Sequence, residues 1–131
     1  MTVSGPENSE RRGRVLVVDD EPLLVKLFVR VLSTDHELTG ETDPRAAVAR
    51  IASGERFDVI FCDLQMPKIS GIAFHGEIES IDAEQARRIV FLTGDISAPH
   101  AREFFARVGN LRLQKPIVPS TLRDVVRGML E

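Results

Sequence analysis

Tryptophan and tyrosine are missing from this 131-residue chain, and cysteine occurs once. With Cys62 alone no internal disulfide can form, so the fold must rest on a hydrophobic core, and a reducing, cytoplasmic setting is expected. Cys62 lies in an apolar run and reads as a small buried hydrophobe rather than a reactive thiol. No apolar run approaches the ~18 residues of a membrane helix, and residues 1–13 lack the apolar segment of a signal peptide. No direct membrane contact is therefore expected. Basic residues are not in excess, since 17 Lys and Arg face 20 Asp and Glu for a net charge of -3. That balance argues against a nucleic-acid-binding surface. Internal repeats and low-complexity tracts are also absent.

What the chain does have is alternation. Residues 1–13 are polar and aperiodic and read as a flexible tail or linker; residues 14–131 have the length of one domain. Short apolar runs at Arg14–Val18, 59–62, 88–92 and 111–114, with a weaker one at Glu37–Glu41, have strand character. Helical segments follow them. The first spans Pro22–Leu32. The second is opened by Asp43 and Pro44 and stopped by Gly54, and the third covers about 70–81. Pro99 opens a fourth that Gly109 closes, and Leu122, Val125, Val126, Met129 and Leu130 mark the last. This order predicts a parallel sheet with helices on both faces, two on one side and three on the other.

The first helix is unusual in its apolar coverage. At ~100° per residue, its leucines, valines and Phe28 sweep about 240°, leaving little to Lys26 and Arg30. A helix packed on a sheet needs a narrower stripe. Either the helix is deeply buried, or a part of it that includes Val25 and Val29 is left for a partner.

The stretch 57–71, FDVIFCDLQMPKISG, holds the central strand and ends it on an acid, Asp63. In a parallel sheet the C-terminal strand ends share one edge, where open α/β sheets bind ligands. Strand one brings Asp19 and Asp20 to that edge, strand three Asp63, strand four Thr93 and strand five Lys115. Any one of these alone is as well explained by a turn or a helix cap. Together they make a specific set. Three gathered acids repel unless a cation shares them, and carboxylate oxygens suit Mg²⁺ better than Zn²⁺. Lys115 and Thr93 suit a phosphoryl group, and an aspartate can accept one as an acyl phosphate.

VLVVDDEP, FCDLQMPKISG, FLTG and LQKP, in that order, resemble the motifs of receiver domains of two-component response regulators. The resemblance covers residues 14–130. It implies a flavodoxin-like (βα)5 doubly wound sheet of strand order 2-1-3-4-5. By position it makes Asp63 the phosphoacceptor and Asp20 a Mg²⁺ ligand, with Asp19 and the Gln65 backbone carbonyl also in the metal shell. Thr93 and Lys115 would contact the phosphoryl group, and Lys115–Pro116 would be cis. A histidine kinase or phosphotransfer domain is the implied donor, and a downstream protein the implied reader.

Three features depart from that pattern or specialise it. Arg112 stands where an aromatic is usual, which puts the common threonine-to-aromatic signal in question. Val118 is a poor cap for the last helix. Gln65 and Asp95 occupy positions that tune phosphoryl lifetime in such domains, and Asp95 is expected to alter dephosphorylation. His36, His75 and His100 read as surface residues. The style of the FLTG to LQKP segment resembles the C-terminal receiver of a hybrid histidine kinase, while a stand-alone receiver fits as well. The apolar first helix could serve a homodimer as well as a kinase. Two rival readings remain: a phosphorylation-independent interaction module with a relic pocket, and a metal-dependent phosphatase. Gln65 disfavours the second, because it cannot act as a general acid or base.

Overall fold

A computed structural model describes residues 12–94 and 99–131 of the chain. Five parallel strands, β1 (Arg14–Val18), β2 (Glu37–Glu41), β3 (Val59–Asp63), β4 (Ile89–Thr93) and β5 (Arg112–Gln114), form one sheet of order β2-β1-β3-β4-β5. Among the described residues, six helices accompany them: α1 (Pro22–Leu32), α2 (Pro44–Ala52), α3 (Gly71–Ile81), α4 (Ala83–Arg87), α5 (Pro99–Arg107) and α6 (Pro119–Leu130). This is the parallel sheet covered on both faces that the alternation predicts, with the flavodoxin-like strand order that the receiver resemblance implies.

The apolar runs form central strands because the sheet is covered on both faces. Every residue of β3 and β4 is buried. One face packs Leu16, Val18, Ile60, Cys62, Ile89 and Phe91 against α2, α3 and α5. The other packs Val15, Val17, Val59, Phe61, Val90 and Leu92 against Phe28 of α1 and Leu122 and Val126 of α6. Each large aliphatic or aromatic side chain so buried contributes roughly 1.5–3 kcal/mol. Phe28 meets Phe61 edge-on at 5.1 Å between ring centroids, which ties α1 to the strand that ends on Asp63.

Cys62 is fully buried and unpaired, and burial pushes its thiol pKa well up. The weak edge strand β2 forms as expected. Its Gly40 is required by packing, since a Cβ there would lie 2.5 Å from Cγ1 of Val25.

Two expectations need correction. The short helix α4 is not among the five segments predicted. Asp82 caps it, its Oδ1 accepting from the Glu84 and Gln85 N–H groups at 2.9 and 3.2 Å. Gln85 then fixes the entry to β3: its Oε1 accepts from Phe57 N–H at 2.8 Å and its Nε2 donates to the Phe57 carbonyl at 3.0 Å. The histidines also differ from a uniform surface set. His36 and His75 are buried, and only His100 is exposed. His36 Nδ1 accepts from the Gly13 N–H at 3.1 Å, which requires its neutral form, and burial lowers its pKa. His75 packs edge-on against Phe104 at 5.2 Å, and burial lowers its pKa as well.

Candidate functional site

Parallel register brings the predicted strand ends to one edge. Val18↔Cys62 places Asp19 beside Asp63, and Thr93↔Gln114 places Thr93 one residue from Lys115. Backbone bonds hold these positions. Asp19 N–H donates to the Glu41 carbonyl at 3.2 Å, Leu64 N–H to the Leu92 carbonyl at 2.9 Å, and Lys115 N–H to the Thr93 carbonyl at 2.8 Å. The Lys115–Pro116 peptide is cis. Asp19 Oδ1 accepts from the Glu21 N–H at 2.9 Å, so this acid also shapes the turn into α1.

Lys115 Nζ lies 3.3 Å from Asp63 Oδ1 and 3.6 Å from Asp19 Oδ2. Asp20 completes the group from an exposed position, and carboxylate oxygens of Asp19, Asp20 and Asp63 all fall within 4.8 Å of one another. Asp19 is only 1% exposed, and its buried Oδ2 has no hydrogen-bond donor. Burial raises the Asp19 pKa against the pull of the Glu21 N–H, and the Asp63 charge adds to the rise. Burial also raises Asp63, while Lys115 pulls it down. For Lys115 itself burial works downward, but Asp63 and Asp19 outweigh it and the pKa ends raised.

A divalent cation fits this donor set. Three hard oxygen donors stand within a few ångströms, one buried oxygen lacks a proton donor, and the acids gain from any charge that neutralises them.

The family model of the response regulator receiver domain matches residues 15–127. The chain belongs to this receiver family. Over 83 residues it is 40% identical to the transcriptional regulatory protein BtsR of Escherichia coli, covering 61% of this chain and 33% of BtsR. With the transcriptional regulatory protein YxjL of Bacillus subtilis it shares 32% identity over 117 residues, 88% of this chain and 53% of the relative. The match to BtsR thus takes in about a third of that protein's length. Among solved structures it is similar to chemotaxis protein CheY4 of Vibrio cholerae, with TM-score 0.75, 28% identity and coverage of 91% and 99%. A receiver domain from Methanospirillum hungatei superposes with TM-score 0.80 at 18% identity, which bears on the fold alone.

Within this receiver the other predicted residues take distinct places. Thr93 is buried at the end of β4. Gln65 is exposed, and its N–H reaches Asp63 Oδ1 at 3.5 Å. Asp95 lies outside the described residues. Arg112 is exposed at the start of β5, its guanidinium 4.7 Å above the Phe105 ring. Val118 makes no side-chain cap, as expected.

The apolar arc of α1 is resolved by its packing. Val25 is 8% exposed and Val29 half-buried, so neither is the exposed docking residue expected of it; Val25 fills the space over Gly40. The exposed apolar residue is Leu23, at 73%, with Leu27 beside it. Both valines line the floor of an open groove of about 560 Å³ whose rim is Leu23, Leu27, Lys26 and Arg30.

Gly71 escaped sequence reasoning. A Cβ there would lie 2.7 Å from the Asp63 carbonyl oxygen and 2.8 Å from Leu64 Cα. Its signal was a glycine eight residues beyond Asp63 and directly after Ser70, whose Oγ caps α3 by accepting from the Ala73 N–H at 3.1 Å.

Proposed function

We propose that Asp63 accepts a phosphoryl group from the phosphohistidine of a histidine kinase or phosphotransfer domain, and that the resulting acyl phosphate switches a surface read by a downstream protein. The observation that carries this reading is the meeting of Asp19, Asp20, Asp63 and Lys115 at one sheet edge with Asp19 Oδ2 left without a donor. Asp19, Asp20 and Asp63 would hold Mg²⁺ with the Gln65 backbone carbonyl, and the ion would neutralise charge on the incoming group. An Asp63 oxygen attacks phosphorus, the phosphorus–nitrogen bond breaks, and the imidazole leaves with the electron pair. Lys115 pairs with one phosphoryl oxygen, and the Thr93 hydroxyl donates to another. With Gln65 rather than a second acid beside the acceptor, the domain stores the group and does not turn over esters.

Incubation with acetyl phosphate or phosphoramidate and Mg²⁺, followed by intact mass, tests the reading. The expected result is one added phosphoryl group that chelation of Mg²⁺ prevents and Asp63→Asn abolishes. No mass gain in the native chain would support the relic module, and steady hydrolysis of varied phosphate esters would support the phosphatase.

The donor docks on the exposed groove of α1, a reading supported by Leu23 and Leu27 standing free beside the acceptor edge. Leu23→Glu should slow transfer from a kinase and leave small-donor phosphorylation unchanged. Equal loss with both donors would refute the docking role. Action in the cytoplasm is part of the same proposal.

A further inference from the structure

Glu41, the last residue of β2, reaches Asp19 through its backbone and α2 through its side chain. Its carbonyl accepts from the Asp19 N–H at 3.2 Å, one residue beyond the last β1–β2 register pair, Val18↔Glu41. Its carboxylate accepts from Arg50 Nε at 2.6 Å, the shortest arginine–carboxylate contact among the described residues. The contact is partly sheltered, with the Glu41 side chain 19% exposed and that of Arg50 36%.

The end of β2 has little else to hold it. It is an edge strand bonded to β1 alone, and none of its residues is buried. Gly40, directly before Glu41, brings no side chain to anchor the strand. Segments with few buried apolar contacts open locally at small cost. Arg50, by contrast, is fixed before it meets Glu41. Its carbonyl, near the end of α2, accepts from Ser53 Oγ at 2.7 Å and from the Glu55 N–H at 3.1 Å. Its Nη1 donates to the two Glu55 oxygens at 3.3 and 3.1 Å. Arg14 Nη2 lies 3.5 Å from Glu55, which ties the network to the first residue of β1. A guanidinium already held in this way loses little further freedom in gripping Glu41, so the pair is firmer than an isolated surface ion pair.

We propose that Arg50 is a positioning residue for the edge that gathers Asp19, Asp20 and Asp63, acting through Glu41 to fix the Asp19 backbone. The inference rests on the proposed role of Asp19 in holding Mg²⁺. Asp19 is buried and its Oδ1 is engaged by the Glu21 N–H, which leaves Oδ2 as the oxygen without a hydrogen-bond donor. A side chain so enclosed cannot swing to make up for a displaced backbone. Where the Asp19 N–H is held therefore decides whether Oδ2 stands with the other two acids. Groups bonded directly to a metal ligand commonly change metal affinity by roughly 10–100-fold. Arg50 acts one residue further away, so a smaller effect is expected.

The test is titration of the full chain with Mg²⁺ alone, followed by backbone amide NMR, together with hydrogen exchange at the Asp19 amide. Arg50→Ala should weaken Mg²⁺ binding at least about threefold. It should also speed exchange at Asp19 more than at Phe61 in the buried strand β3, which a general loss of stability would not do. Glu41→Ala should have the same two effects. The double variant should lose no more than the more affected single one, because the two residues act as one contact. Arg45→Ala, whose partner is Glu77 of α3, should leave both readouts unchanged. Unfolding in urea checks that each variant is folded. Native Mg²⁺ affinity with native Asp19 exchange in Arg50→Ala would overturn the proposal, and so would losses that add in the double variant. A native chain that binds no Mg²⁺ would count against the cation reading instead, and exchange at Asp19 would then decide the role of Arg50.

Discussion

Gly71→Ala tests how closely the helix after Asp63 is packed against it. Gly71 is the first residue of α3, and its N–H donates to the Leu64 carbonyl at 2.8 Å. The Cβ added by alanine would meet the Asp63 carbonyl oxygen at 2.7 Å and Leu64 Cα at 2.8 Å. Both are backbone atoms and neither can rotate away, so the chain must give by about half an ångström. Overpacking of this kind costs typically ~1–3 kcal/mol. Alanine returns up to about 1 kcal/mol by restricting the unfolded chain, which leaves a net loss of roughly 1–2 kcal/mol. With a urea dependence of about 2 kcal/mol per molar, mid-range for small domains, the unfolding midpoint should fall by roughly 0.5–1 M at unchanged slope. The displaced atoms belong to Asp63 and its neighbour, so phosphorylation by a small donor should slow under conditions where the variant is fully folded. Native stability together with a native rate in Gly71→Ala would refute the packing argument.

Gln85→Ala removes both side-chain bonds to Phe57 and leaves a buried N–H and carbonyl without partners, which should cost about 2–4 kcal/mol in urea unfolding. A loss under 1 kcal/mol would mean that α4 is only a surface turn. His36 predicts a pH effect. Its folded pKa is lowered, so between that value and the ordinary 6.5 the unfolded chain binds the extra proton, and stability falls as pH falls through this window. His36→Asn keeps an acceptor for the Gly13 N–H but cannot protonate. Between about pH 7.5 and pH 5 it should lose less stability than the native chain. Parallel pH curves for the two proteins would remove His36 as the cause.

The sheet was legible because its central strands are buried on both faces, so Val59, Ile60, Phe61 and Cys62 stand as an unbroken apolar run. The edge that gathers Asp19, Asp20, Asp63 and Lys115 was legible for a related reason: acids and a lysine directly after strands must share the edge where parallel strands end. Length hid α4. Five residues carry no periodicity, and only the Asp82-to-Gln85 spacing, a cap followed three residues later by Gln, marked it. The α1 error had a different origin. Helical angle says which side chains share a face, but not what lies opposite; the glycine in β2 that lets Val25 sink is remote in sequence. Buried His36 and His75 were missed because each needs a distant companion, the Gly13 N–H in one case and Phe104 in the other.

Lys115 shows how the site sits between stability and function. A lysine that stabilised one buried acid would approach it to about 2.7–2.9 Å. Here it stands 3.3 Å from Asp63 and 3.6 Å from Asp19, shared between two carboxylates whose pKa values both stay raised. The arrangement leaves the acids short of positive charge, so the edge favours any further cation. Lys115 is carried one residue beyond β5, a three-residue edge strand with no fully buried side chain. Movement of that ammonium toward new negative charge therefore costs little packing. Asp63, by contrast, ends a strand buried along its whole length. Asp63 is held fast and its counter-charge is not, a division that suits the change of charge proposed for this edge.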